Sequence, residues 1–252
     1  TSTVYAHGFG ERYDLPMPLL YFIIGAVIAV GLSFLLVGIF VTSEASTRNF
    51  RSEISLPDWL IGNIGIRCLN WIVKCFSVFL LILILLTTLI GSNKPIYNFS
   101  PTFIWIIWWV GLGFVSAVFG NVWTFLNPWK VTFEVAETIS KRFRREREIN
   151  PLLTYPSDLQ GWPAVILFAV FAWIENVYSG NAIPRHLAVL VIIYSLVQWT
   201  GMLCFGKQIW LKNGDPFTLI FSFFSKLSIF EINDSNSKVF IRPPGWGFLS
   251  SN

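Results

Sequence analysis

Apolar residues in this chain come in long unbroken stretches, not in the alternating or one-faced patterns of elements that border water. The first stretch runs from Met17 to Thr42 and follows Pro16 and Pro18, which suit a helix start. A second covers Ile72 to Gly91 and is almost purely aliphatic from Val78 to Ile90. The third, Phe103 to Val122, is opened by Ser100-Pro101 and is rich in tryptophan. Trp162 to Val177 makes a shorter fourth, opened by Gly161-Trp162-Pro163, and Leu187 to Phe205 makes a fifth. A helix needs about 20 mostly apolar residues to cross the hydrocarbon core. The pattern therefore predicts an all-α fold, a polytopic transmembrane helical bundle of about five spans. Asp215-Pro216 then reads as an N-cap with proline at the first helical position. The apolar stretch behind it, Phe217 to Phe230, is about 14 residues long, which suits an interfacial or re-entrant C-terminal helix better than a sixth span.

The polar intervals set the organisation. Residues 1–16 form an expected exported N-terminal segment, 17–230 the helical membrane domain and 231–252 a cytoplasmic-side tail. The longest polar interval, Thr124 to Gln160, contains a charged run from Ser140 to Glu148. With Val131, Phe133, Val135 and Ile139 ahead of it, this interval predicts an amphipathic helix on the inner membrane surface. Attraction of such a helix to anionic lipid contributes about 1 kcal/mol per basic residue. With the N-terminus outside and five spans, only Arg12, Lys94 and Arg185 of the 18 Lys and Arg face outward. Cytoplasmic loops of membrane proteins carry the excess of Lys and Arg. The expected location is thus a cell (inner) membrane, multi-pass, with an exported N-terminus after removal of a signal peptide lying upstream of Thr1. The tail is expected to continue beyond Asn252 or to pack on a partner.

Composition strengthens this picture. Of 252 residues 54% are hydrophobic and 13% charged, against about 25% charged in an ordinary soluble domain. The mean hydropathy is +0.61. Twelve Trp and 24 Phe exceed what one aqueous core requires, and the lipid bilayer is the expected surrounding. The net charge of +4 belongs to the inner-surface residues, so nucleic acid is not an expected partner. Cys68, Cys75 and Cys204 form no CxxC motif and no disulfide framework.

Polar groups within apolar segments are costly and ask for a reason. Two groupings result. An outer one gathers His7, Asp14, Glu175, Arg185 and His186. There, Glu175 and His186 are candidate catalytic acid–base residues, and His7, His186 and Glu175 are candidate ligands for a transition metal at the outer face. The plainer alternative pairs Glu175 with Arg185. An inner grouping lies in Gly120–Trp129, where Asn121 and Asn127 predict a structural polar pocket and Asn127-Pro128 a turn that ends a helix. Gln198 is a polar group within the fifth stretch. There is no GxSxG, P-loop, Rossmann glycine motif or haem attachment site.

The segment Ala6 to Pro16 (AHGFGERYDLP), leading into the first stretch, resembles the mature start of a bacterial membrane protein family called fenitrothion hydrolase-like. Gly120–Trp123, Asn127–Trp129, Trp173 with Glu175, and then Pro184 and Tyr194 resemble the same family, so the likeness runs over roughly residues 6 to 250. It implies a polytopic membrane protein, with further spans in a longer chain, and phosphotriester hydrolysis by a membrane-bound enzyme. Three functions are therefore expected to compete. First is a subunit of a larger membrane complex with no catalytic site of its own, favoured by sparse acid–base machinery and abundant aromatic side chains. Second is a membrane-bound hydrolase of that type, and third a small-molecule transporter.

Overall fold

The computed structural model describes residues 52–54, 63–144, 151–233 and 238–249, with scattered positions between 20 and 35. The chain divides into two units, Thr1–Ser52 and Glu53–Asn252. In the first, the described positions between 20 and 35 are helical, and Leu20, Val27 and Phe34 among them are exposed. Most of the expected first span, and the N-terminal segment with His7, lie outside the described residues.

The second unit is mostly helical. Among the described residues, three stretches are long and apolar enough to cross a membrane: Cys68–Ile90, Phe99–Phe119 and Pro184–Phe205. Helix α1 (Asn63–Ile90) therefore begins well before the expected Ile72. It can contain Thr87 and Thr88 because their hydroxyls donate back to the Leu83 and Ile84 carbonyls, so neither is left unpaired. Its end and the start of the next helix are held by one side chain. Asn98 Nδ2 donates to the Thr87 and Ser92 carbonyls at 2.7 and 2.8 Å, while its Oδ1 accepts from Ser100 N at 3.0 Å. Gly91 leaves the room, since a Cβ there would lie 2.9 Å from Asn98 Nδ2.

Helix α2 (Phe99–Phe119) starts four residues before the expected Phe103 because Asn98 caps it. Its stretch Phe103–Gly111 is π-helical. Widening the turn brings the consecutive Trp108 and Trp109 onto one aromatic cluster, both packed against Phe171, Phe217 and Phe221. Gly120 ends the helix at φ +102°, short of the expected Val122. A single turn α3 (Trp123–Leu126), then Asn127, leads into α4 (Pro128–Arg144), a helix in the interval expected to be amphipathic; the charged run beyond Arg144 lies outside the described residues. Helix α5 (Trp162–Asn176) has 15 residues, about 22 Å at 1.5 Å per residue, which is short of a 30 Å core. Helix α6 (Pro184–Phe205) is stopped by Gly206 at φ +84°.

Behind Gly206 come two short helices, α7 (Lys207–Asn213) and α8 (Pro216–Ser225). Helix α7 runs back along α6: Trp210 packs on Gly201 and donates to Gln198, and Asp215 then reaches Tyr194, halfway along α6. Helix α8 reverses again. Phe217 packs on Trp108, the Phe224 ring covers Gly113, and Ile229 N donates to the Val118 carbonyl near the end of α2. The pair is a helical hairpin with its tip, Gly214-Asp215, buried at mid-depth of the bundle. The apolar stretch expected as an interfacial or re-entrant helix is the returning arm of this hairpin.

The tail departs from all-α. Phe230–Asn233 pairs antiparallel with Lys238–Ile241, with Phe230 opposite Ile241, and a last turn, α9, covers Trp246–Leu249. Arg242 anchors it, donating through Nη2 to the Ser225 carbonyl at the end of α8 and through Nε to the Ser228 carbonyl.

Candidate functional site: a buried carboxylate and its surroundings

Asp215 is fully buried at the tip of the α7–α8 hairpin. Oδ1 accepts from Tyr194 Oη at 2.7 Å and from the Phe217 amide at 3.1 Å, the second being the N-cap bond of α8. Oδ2 accepts from Thr218 Oγ1 at 2.6 Å and Asn127 Nδ2 at 3.0 Å, with Trp123 Nε1 at 3.5 Å. An ionised carboxylate offers about four lone-pair sites. Tyr194, Thr218, Asn127 and the Phe217 amide supply four donors to them.

The network extends outward. Tyr194 Oη accepts from Gln198 Nε2 at 2.6 Å, and Gln198 Oε1 accepts from Trp210 Nε1 at 2.8 Å. Trp210 reaches that position because Gly201 and Gly214 lie against its ring, and a Cβ on either would collide with it. Asn127 Oδ1 accepts from Lys130 N, which fixes the first turn of α4. Trp129 Nε1 donates to Ser195 Oγ at 2.8 Å. Trp108, Trp123, Trp129, Phe217 and Phe221 form the apolar wall around these groups. Two grooves among the described residues run along α6, one lined by Phe133, Trp199 and Leu203 and the other by Leu196, Cys204 and Trp210.

The expected inner pocket of Asn121 and Asn127 is thus divided. Asn127 is 2% exposed and bound to Asp215, whereas Asn121 Oδ1 is buried with no hydrogen-bond partner. Sequence reasoning found Asp215 as a helix cap and missed it as the centre of the network. The available signal was a single carboxylate between two apolar segments, next to proline.

At the other end of the bundle, the start of α6 meets the loop 92–98, with Arg185 N donating to Asn93 Oδ1, and the loop 177–183 meets α2, with Trp105 Nε1 donating to the Asn181 carbonyl. Glu175 is half-buried with its carboxylate on the Trp109 indole, and its backbone carbonyl accepts from Asn181 Nδ2. His186 is exposed, and its Nδ1 is 3.0 Å from Tyr178 Oη. Gly180 makes that pairing fit, since a Cβ there would strike both rings. Glu175 and His186 therefore engage different partners, and neither is bonded to the other. Arg185 forms no ion pair with Glu175 among the described residues. Among the described residues no three His, Cys, Asp or Glu gather as metal ligands. The three cysteines are free.

A third polar group joins α1, α4 and α7. Lys74 Nζ lies 2.8 Å from Glu134 Oε2, and Lys207 Nζ lies 3.6 Å from Glu134 Oε1 and 2.9 Å from Glu137 Oε2. Burial would raise the Glu134 carboxyl, but the Lys74 hydrogen bond and the charges of Lys74, Lys207 and Lys130 bring it below the usual carboxylate range. Burial, opposed by Glu134 and aided by Lys74 and Lys207, lowers Lys130.

No family model matches the chain, and no curated protein and no solved structure matches it. Fold and site define a class, a mostly helical chain with three apolar helices of spanning length among the described residues, which is compatible with a membrane protein.

Proposed function

We propose that this chain is a structural subunit of a larger inner-membrane complex, with no catalytic site of its own. The observation that carries this reading is the Asp215 network. The most elaborate polar constellation among the described residues is buried and hydrogen-bonded within the chain, so it acts as the clasp that fixes the α7–α8 hairpin to α6 and α3. Exposure of the apolar helices supports the same reading. Only 17% of the spanning window of α1 and of α2, and 33% of that of α6, is buried within the chain. Trp71, Phe76 and Phe79 on α1 and Phe114 and Phe119 on α2 are exposed. Lipid and neighbouring subunits are the surroundings such faces require.

The reading uses about five spans, with residues 17–42 as the first and α5 as a short fourth, a membrane domain over 17–230, and an exported N-terminus. Convergence of Lys74, Lys130 and Lys207 at one end of the bundle supports that orientation, since all three fall on the inner side of the five-span count. Gentle extraction into nanodiscs followed by native mass spectrometry tests it. Co-isolation with other membrane subunits in fixed ratio is expected. A solitary chain of 28.7 kDa would remove the proposal.

A second reading is a membrane-bound hydrolase of the fenitrothion hydrolase type, in keeping with the sequence resemblance. It draws on Glu175 and His186, which lie at the same end of the bundle, His186 exposed and oriented by Tyr178, with His7 as a further ligand for a transition metal. A transporter has less to draw on, because both ends of the Gln198 side chain are engaged by Tyr194 and Trp210.

A further inference from the structure

Asp215 is fully buried and, among the described residues, forms no ion pair. Charged side chains on the elements packed around it are engaged elsewhere. Lys130 of α4 donates to the Thr124 carbonyl, and Lys207 of α7 meets Glu134 and Glu137. Lys212 of α7 is exposed, and Lys226 behind α8 lies over the Phe248 ring. Arg185 and His186 stand at the far end of α6, and Glu175 is on Trp109. Tyr194 is the titratable side chain that touches the carboxylate. In its ionised form Asp215 is therefore balanced by dipoles alone, and an ionisable group so deep among apolar helices asks for a role beyond packing.

Its donors differ in whether they can be reversed. On Oδ1, the Phe217 amide can only donate, and Tyr194 Oη is committed by accepting from Gln198 Nε2. On Oδ2, Asn127 Nδ2 can only donate, because the other end of that amide accepts from Lys130 N. The Thr218 hydroxyl, 2.6 Å from Oδ2, is different, since a hydroxyl both donates and accepts. A helical threonine can also turn its proton to the carbonyl four residues back. Thr88, Thr132 and Thr138 do so here, onto Ile84, Pro128 and Glu134. For Thr218 the residue four back is Gly214.

We propose that Asp215 and Thr218 form an internal proton-binding site. One proton from water joins Oδ2, and the new O–H donates to Thr218 Oγ1. The Thr218 hydroxyl turns from Oδ2 to the Gly214 carbonyl. Oδ1 keeps Tyr194 and the Phe217 amide, and Oδ2 keeps a lone pair for Asn127. The core passes from one negative charge to none while the hairpin stays clasped. This goes beyond the subunit reading and does not depend on it.

Infrared difference spectroscopy of the detergent-solubilised full chain, titrated with acid and followed in parallel by circular dichroism, tests the site. A carboxylic-acid C=O band is expected to rise reversibly as pH falls, with the helix signal unchanged. Isotopic labelling of the aspartate carboxyl carbons should move this band, and Asp215→Asn should abolish it. Thr218→Ser should keep its frequency, whereas Thr218→Val, which removes the acceptor of the new O–H, should shift it. The serine and valine variants leave Asp215 in place, so their comparison stands apart from the folding of Asp215→Asn. Loss of the helix signal before any such band appears would overturn the proposal. So would a band that survives in a folded Asp215→Asn, or one of unchanged frequency in Thr218→Val.

Discussion

Two carboxylates, each beside tryptophan at the end of a short apolar helix, have opposite fates in this protein. Asp215 is fully buried and accepts from four donors within 3.1 Å, drawn from Tyr194, Asn127, Thr218 and the Phe217 amide. Glu175 is half-buried in the last turn of α5 and meets the Trp109 indole. The difference teaches where the fold depends on charge. A carboxyl group held away from water needs hydrogen-bond partners within the chain, and those partners tie together the helices that supply them. A half-buried carboxylate with one such partner imposes less order on its neighbours.

Removing the acceptor is expected to have the largest effect. Asp215→Ala strands the Tyr194, Thr218 and Asn127 donors inside the bundle at about 1–3 kcal/mol each, giving a non-additive loss of roughly 3–5 kcal/mol. The check is the thermal midpoint in detergent followed by circular dichroism. Gly201→Val comes next. It displaces Trp210 and frees Gln198, for an expected cost of about 1–3 kcal/mol, measurable in the same melt. Tyr194→Phe keeps the ring and deletes one link of the chain from Gln198 to Asp215, so about 1–2 kcal/mol should be lost.

Acid gives a smaller and pH-resolved effect through Glu134. Its folded carboxyl titrates below the usual value, so its contribution is complete above the unfolded pKa of about 4.3 and disappears as pH falls through the lower folded one. Melting midpoints across that window should decline less steeply in Glu134→Gln than in the parent. The smallest change is expected at the other carboxylate. Glu175→Gln should alter stability by less than about 0.5 kcal/mol. The same substitution would reduce turnover by about 10²–10⁴-fold if Glu175 were an acid–base catalyst, so assays of phosphotriester hydrolysis divide the two readings sharply.

Much of the architecture was legible in the chain. The aliphatic run behind Ile72 and the run from Leu187 to Phe205 carry their own helix signal, and Asp215-Pro216 correctly marks the start of α8. Helix starts shifted where a side chain from outside the apolar run decides them, as Asn98 does for α2. The hairpin's depth was not legible, because it follows from Trp210 fitting on Gly201 and Phe217 on Trp108, and apolar runs do not encode such pairings. The Asp215 site was hidden for the same reason. Its donors Asn127 and Trp123 lie 88 and 92 residues away in sequence. Asn127 could be named as a polar pocket residue, since a buried amide needs partners, but the partner could not be read from local pattern.

Amide hydrogen exchange of the detergent-solubilised protein tests the sealed nature of the Asp215 clasp most directly. The Gly214, Asp215 and Phe217 amides donate to Trp210 O, Trp210 O and Asp215 Oδ1 respectively. The account predicts that peptides over 211–219 exchange as slowly as the middle of α6, while those over 177–183 exchange rapidly. Fast exchange over 211–219 in the folded parent chain would mean that water reaches Asp215, and would contradict a clasp used up within the chain.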